Sequence, residues 1–127
     1  MIGARARWAI ASAFTLGLAV LSLAPLSGVP TPRMIPHADK AAHVALYAVY
    51  AALILVVLFP GRRDGKTLAW VVLYCSAFGA LMEVLQAAFP GLNRTGEVAD
   101  ALANAVGAAL AAVGIGLARR RKRLKAG

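Results

Sequence analysis

The stretch Arg94-Thr95-Gly96-Glu97-Val98-Ala99-Asp100-Ala101-Leu102-Ala103-Asn104-Ala105-Val106-Gly107 decides the fold, because it sets a carboxylate, an amide and a glycine into what otherwise reads as a membrane-spanning helix. Steps of four and three residues place Asp100, Asn104 and Gly107 above one another on a single helix face. A charged group at bilayer depth costs about 2.5 to 3.5 kcal/mol on insertion scales, so such a stripe faces a bundle interior and finds partners there. The rest of the chain is read for those partners.

Composition sets the frame. Of 127 residues, 61% are hydrophobic and 15% charged, against roughly 45–50% apolar and about 25% charged in a soluble domain. The chain reads as an integral membrane protein with room for one domain over residues 1–127, and a multidomain soluble protein is excluded. The single cysteine, Cys75, allows no intrachain disulfide and leaves the redox compartment open.

Working outward, four apolar runs are predicted as transmembrane helices, at about 8–26, 39–59, 67–89 and 97–117. The first follows a short arm with Arg5 and Arg7; Ser22-Leu23-Ala24 resembles a signal-peptidase site, but Pro25 makes a poor cleavage context and the run is read as a retained anchor. Prolines at 25, 30, 32 and 36 break the chain into a semi-rigid loop over 27–38. Pro60-Gly61 and Pro90-Gly91 end the second and third runs. Gly61-Arg62-Arg63-Asp64-Gly65-Lys66-Thr67 has three residues between its glycines where a phosphate-binding loop needs four, and no strand precedes it. Asn93-Arg94-Thr95 is formally a glycosylation acceptor and reads as coincidence so close to the membrane.

The basic residues orient the bundle. Arg5, Arg7, Arg62, Arg63 and Lys66, with Arg119, Arg120, Arg121, Lys122, Arg123 and Lys125, fall on one side; Arg33, Lys40 and Arg94 fall on the other. The positive-inside rule puts both termini in the cytoplasm. The formal net charge of +9 is therefore read as a topology determinant able to meet anionic inner-leaflet lipid, and no nucleic-acid partner is expected. Trp8 and Trp70 fall at the cytoplasmic interface. With this topology Asp39, Lys40, His43, Glu83, Gln86, Arg94, Asp100 and Asn104 all lie in the outer half, whereas the inner half reads Ala, Leu, Val and Gly with scattered Ser, Tyr and Cys. Gly79, Gly107-x-x-x-Ala111 and Ala108-x-x-x-Ala112 predict close helix approach.

Asp39-Lys40-x-x-His43, then Glu83-x-x-Gln86, then Arg94 followed by Asp100, Asn104 and Gly107 resemble the VanZ-like family of bacterial membrane proteins, over about residues 39–107. The family is named for a protein linked to low-level teicoplanin resistance in glycopeptide-resistance clusters. The resemblance implies a multi-pass cell-envelope protein of the cytoplasmic membrane and carries no established reaction or substrate. The first run and the tail bear none of these marks.

Three readings of the cluster follow from its chemistry. A binding pocket would hold a polar headgroup, such as a lipid-linked cell-wall precursor or a glycopeptide bound to one, with Arg94 and Lys40 as anion anchors. Yet Asp39, Glu83 and Asp100 outnumber those two cations, which suits a bare anion poorly unless a carboxylate is protonated or a metal is present. An enzyme acting on a lipid-linked phosphate or amide would use His43, Glu83 and Asp100, with Asp39 orienting His43 and with Glu83 and Asp100 on a hard divalent cation. No Ser or Cys nucleophile lies nearby, only Thr95. The third reading is structural: ion pairs and interhelical bonds that fix register. Binding is favoured over catalysis; no resident metal or cofactor is expected, Tyr47 and Tyr50 are read as packing, and the oligomeric state is left open.

Overall fold

The computed structural model describes residues 2–25, 38–92 and 94–126. Its order is α1 (Ala4–Leu23), α2 (Ala38–Leu58), α3 (Gly65–Ala88), a short 3₁₀ turn (Pro90–Leu92) and α4 (Val98–Ala126). All four α-helices are long and apolar enough to cross a membrane, and no strand occurs among the described residues. The expected all-α, multi-pass membrane bundle is what the chain forms.

Two boundaries differ from the apolar runs for one reason. α1 begins at Ala4, taking in Arg5 and Arg7, and α4 continues to Ala126, carrying the whole basic tail as helix. Ala, Arg, Leu and Lys are good helix formers in water, so the end of the hydrophobic run marks where apolar surface stops and not where the helix stops. The proline-rich loop with Arg33, and Asn93 of the formal glycosylation acceptor, lie outside the described residues.

α4 packs chiefly against α2 and α3, and glycine makes this possible. A Cβ on Gly107 would overlap the Val44 carbonyl oxygen of α2, and one on Gly79 of α3 would meet the Asn104 and Tyr47 side chains at 2.8–2.9 Å. Ala108 and Ala112 are buried on the same seam. Where lipid gives helices no hydrophobic reason to associate, this close approach supplies the dispersion contacts that do. α1 docks at mid-length through hydroxyls. Thr15 Oγ1 donates to the Ala11 carbonyl and lies 2.8 Å from the Tyr50 hydroxyl, which reaches Tyr74 at 3.2 Å. Tyr50 is thus a polar junction as well as a packing residue, with the Phe14 ring stacked on it at 5.8 Å.

Helix ends are closed at the α2–α3 turn. Gly61 takes a positive φ of 78°, the left-handed conformation that ends a helix. Arg63 donates to the carbonyls of Leu55, Phe59 and Arg62, covering the end of α2, where the Phe59 carbonyl also accepts the Arg62 N–H. Asp64 caps α3, accepting the Thr67 N–H at 3.0 Å and its hydroxyl at 2.7 Å.

Candidate functional site

The opposite end of the bundle joins the start of α2, the end of α3, the 94–97 connection and the start of α4. Asp39, Lys40 and His43 stand on the first turns of α2; Glu83 and Gln86 lie in the last turns of α3; Asp100 and Asn104 open α4. The eight residues singled out in the sequence therefore meet at one end, where they divide into two groups.

The first group is an acidic cluster around one lysine and one histidine. Lys40 Nζ lies 3.1 Å from Asp39, 3.2 Å from Glu97 and 3.0 Å from Asp100 Oδ1. His43 Nδ1 is 2.9 Å from the Asn104 side-chain oxygen, which accepts the ring N–H and leaves the Nε2 lone pair to the other side. That Nε2 is 3.9 Å from Asp100 Oδ2, and Nδ1 is 3.9 Å from Glu83 Oε1. Glu83 and Asp100 have side chains only 7% and 11% exposed, and Asn104 is fully buried.

Glu83 is held by backbone. Its Oε2 accepts the Glu97 N–H at 3.1 Å. Glu97 is the N-cap of α4, with its carbonyl taking the Asp100 and Ala101 N–H groups, so its own N–H has no partner within the helix. Gly96 brings the strand of chain close enough: a Cβ there would overlap the Glu83 carbonyl oxygen and press on Ala87. The sequence Gly96-Glu97 thus exists to lay the α4 entrance across the last turns of α3.

The second group ties down α1. Gln86 donates to the Ser22 carbonyl at 2.8 Å, while Arg94 donates through Nε to Ala24 at 2.9 Å and through Nη2 to Leu21 at 3.0 Å. These are carbonyls left over where α1 ends, and a cation is well placed against that negative pole.

The geometry adds to the sequence expectations at three points. Arg94 gives Nε and Nη2 to α1 carbonyls, and Lys40 is met by three carboxylates. Asp39 does not orient His43; Asn104 does, and Asp39 pairs with its neighbour Lys40. Glu97, read only as the start of a span, is a member of the cluster through both its carboxylate and its N–H. Its spacing of three from Asp100 would have placed it on the same face.

Chemically the cluster sets Asp39, Glu83, Glu97 and Asp100 against the single ammonium of Lys40. It can accept hydrogen bonds from hydroxyl and amine groups, and one ring nitrogen of His43 and one oxygen each of Glu83 and Asp100 lie within 4.8 Å of one another, a donor set able to hold a metal ion.

No curated protein and no solved structure matches the chain. The VanZ/LLP1 family does, over residues 6–119, a range that runs from α1 into α4 and takes in every residue of both groups. A match across that much of the chain makes it a member of the VanZ/LLP1 family.

Proposed function

We propose that the chain is a binding protein of the cell envelope whose polar end receives the headgroup of a lipid-linked or glycopeptide-type ligand, and through it influences susceptibility to glycopeptides such as teicoplanin. The observation that carries this reading is the meeting at one end of four carboxylates from α2, α3 and the α4 entrance, three of them around Lys40 and the fourth, Glu83, beside His43. Interhelical hydrogen bonds in membranes contribute about 0.6 kcal/mol each, so register alone is a weak reason to bury Glu83 and Asp100. A headgroup rich in hydroxyl, amide or amine donors suits these acceptors, and a bare anion does not. The basic residues of α1, the α2–α3 turn and the tail support a topology with both termini in the cytoplasm and the acidic cluster at the outer face of the cytoplasmic membrane.

For Gln86 and Arg94 a second reading is favoured by their own hydrogen bonds: they are structural ties to α1. Catalysis has no comparable support, because the cluster presents no nucleophilic side chain and His43 lacks the carboxylate partner expected of it.

The test is mass spectrometry of lipids that co-purify with the chain in native nanodiscs. A saccharide- or peptide-bearing lipid should be retained by the parent protein and lost from Glu83→Gln and Asp100→Asn, while Trp70→Phe at the other end keeps it. Equal retention by all folded variants would remove the pocket from the reading. Labelling that puts position 39 on the same side as the tail would remove the topology.

A further inference from the structure

We propose that His43, Glu83 and Asp100 form a binding site for one divalent cation of the Zn²⁺ type. The inference stands apart from the headgroup reading, since it concerns the protein with no organic ligand bound.

Each of the three side chains is fixed through one atom and offers another. Glu83 is anchored through Oε2 by the Glu97 N–H, Asp100 through Oδ1 by Lys40, and His43 through Nδ1 by Asn104. Among the described residues, Glu83 Oε1, Asp100 Oδ2 and His43 Nε2 take part in no hydrogen bond, and all are acceptors. Nε2 lies 3.9 Å from Asp100 Oδ2, too long for a hydrogen bond, and Glu83 Oε1 lies 3.9 Å from Nδ1 on the same ring, with one ring nitrogen and one oxygen of each carboxylate within 4.8 Å of one another. Two donors bound tetrahedrally to a cation at about 2.1 Å lie about 3.4 Å apart, so rotation of the Glu83 and His43 side chains is what would close the site. The His43–Asn104 bond is the arrangement that metal-bound histidines use, the second ring nitrogen being held by a carbonyl-type oxygen that fixes the tautomer.

A second observation points into the same place. The Tyr47 hydroxyl is buried with no hydrogen-bond partner, in a residue 2% exposed. Tyr47 lies one turn below His43 on α2, its ring edge against Gly79, which is one turn below Glu83 on α3, and Asn104 closes over the same glycine. A buried hydroxyl without a protein partner calls for a bonded water or ligand atom, and a water carried by a cation in the layer above Gly79 would supply one.

One nitrogen and two carboxylate oxygens favour a borderline ion over Ca²⁺ or Mg²⁺, which prefer all-oxygen shells. Three protein donors leave coordination positions for water or for oxygens of an incoming headgroup. A divalent charge would also offset the carboxylate excess that Lys40 alone leaves.

The experiment uses the full chain in detergent or nanodiscs, stripped with a chelator and titrated with Zn²⁺ against a chromophoric competitor, then with Co²⁺ followed by visible absorption. One equivalent of Zn²⁺ should bind, and Co²⁺ should give the intense ligand-field bands of a four- or five-coordinate site. His43→Ala, Glu83→Gln and Asp100→Asn should each abolish binding; Asn104→Ala should weaken it about 10- to 100-fold, and Tyr47→Phe should alter the Co²⁺ spectrum. Absence of stoichiometric binding by the parent protein overturns the proposal without recourse to any variant, as does binding that survives His43→Ala in folded protein. Absence of Zn²⁺ binding by the parent leaves its lipid co-purification untouched, and absence of a lipid from the parent leaves its Zn²⁺ titration untouched, so the two readings fail separately.

Discussion

The two ends of this bundle solve the problem of charge in opposite ways. At the basic end the charges lie outside: α4 simply continues through Arg119–Lys125 to Ala126, Arg62 and Lys66 are exposed, and Trp8 and Trp70 line an apolar cavity of about 300 Å³ with Ile54, Leu58 and Tyr74. At the acidic end Glu83 and Asp100 are carried inward, and each has a neighbour on another element, the Glu97 N–H for Glu83 and the Lys40 ammonium for Asp100. Charge that fixes orientation needs only to be counted, whereas charge placed between helices must be positioned. Close helix approach leans the same way: a Cβ at Gly79, Gly96 or Gly107 would come within 3.0 Å of neighbouring atoms, whereas one at Gly114 has none within 4 Å and one at Gly116 meets only the end of the Leu68 side chain at 3.2 Å.

The sharpest way to break the comparison is therefore to add the same methyl group at two glycines about two turns apart on α4. Gly107→Ala puts a Cβ into the Val44 carbonyl oxygen and should cost about 3 kcal/mol, the upper part of the range for overpacking against groups that cannot yield. Gly114→Ala meets open space and should gain about 0.5–1 kcal/mol from helix propensity. Reversible unfolding in mixed micelles reads both values, and similar effects at the two positions would contradict the packing described.

Arg94 comes next. Arg94→Met removes two charge-assisted bonds to the end of α1 and should cost about 2 kcal/mol, confined to α1. Cysteine cross-linking between positions 22 and 86 should slow in this variant, while a cysteine pair joining α2 to α4 away from Gly107 keeps its rate. Uniform loosening of all four helices would mean that Arg94 supports the acidic cluster after all.

Between the ends lies Thr15, whose hydroxyl meets Tyr50 at 2.8 Å. Thr15→Val should cost only about 0.6 kcal/mol, the usual value of an interhelical hydrogen bond in a membrane, and should leave Zn²⁺ binding unaltered. A loss as large as that for Arg94→Met would show that the hydroxyl chain, and not the α1 terminus, is what holds the first helix.

How much of this was legible in the sequence depends on the scale at which it was encoded. Helices came from apolar run length, and the gathering of Asp39, Lys40, His43, Glu83, Asp100 and Asn104 at one end came from alternating chain direction, which needs no side-chain detail. The pairings were not legible. Asp39 and His43 are four residues apart on one helix, so spacing favours their contact, yet α2 turns His43 toward Asn104, which stands 61 positions later in the chain. Glu83 is satisfied by a backbone N–H, and a main-chain donor carries no residue signature. Arg94 and Gln86 turn to α1 because helix-end carbonyls need donors, a demand set by where α1 stops and not by anything in α1 side chains.

The smallest effect belongs to a carboxylate of the basic end. Asp64 lies outside the spans and caps α3, and the Thr67 N–H and hydroxyl that donate to it hold its carboxyl below the usual Asp value. A group with a folded pKa below its unfolded one stabilises the fold above the unfolded value, near about 3.9, and that stabilisation is lost as pH falls through the folded value. Asp64→Asn keeps an N-cap without the ionisation. Parent and variant should therefore have nearly equal stability in acid, with a slight parent advantage emerging as pH rises through about 4 and constant above it. Taking the difference between the two proteins cancels the titration of the acidic cluster, which is common to both. A parent advantage that instead grew toward low pH would mean that the proton, not the charge, is what Asp64 contributes, and the contrast between a solvated capping carboxylate and the interior carboxylates of the other end would fail at its simplest point.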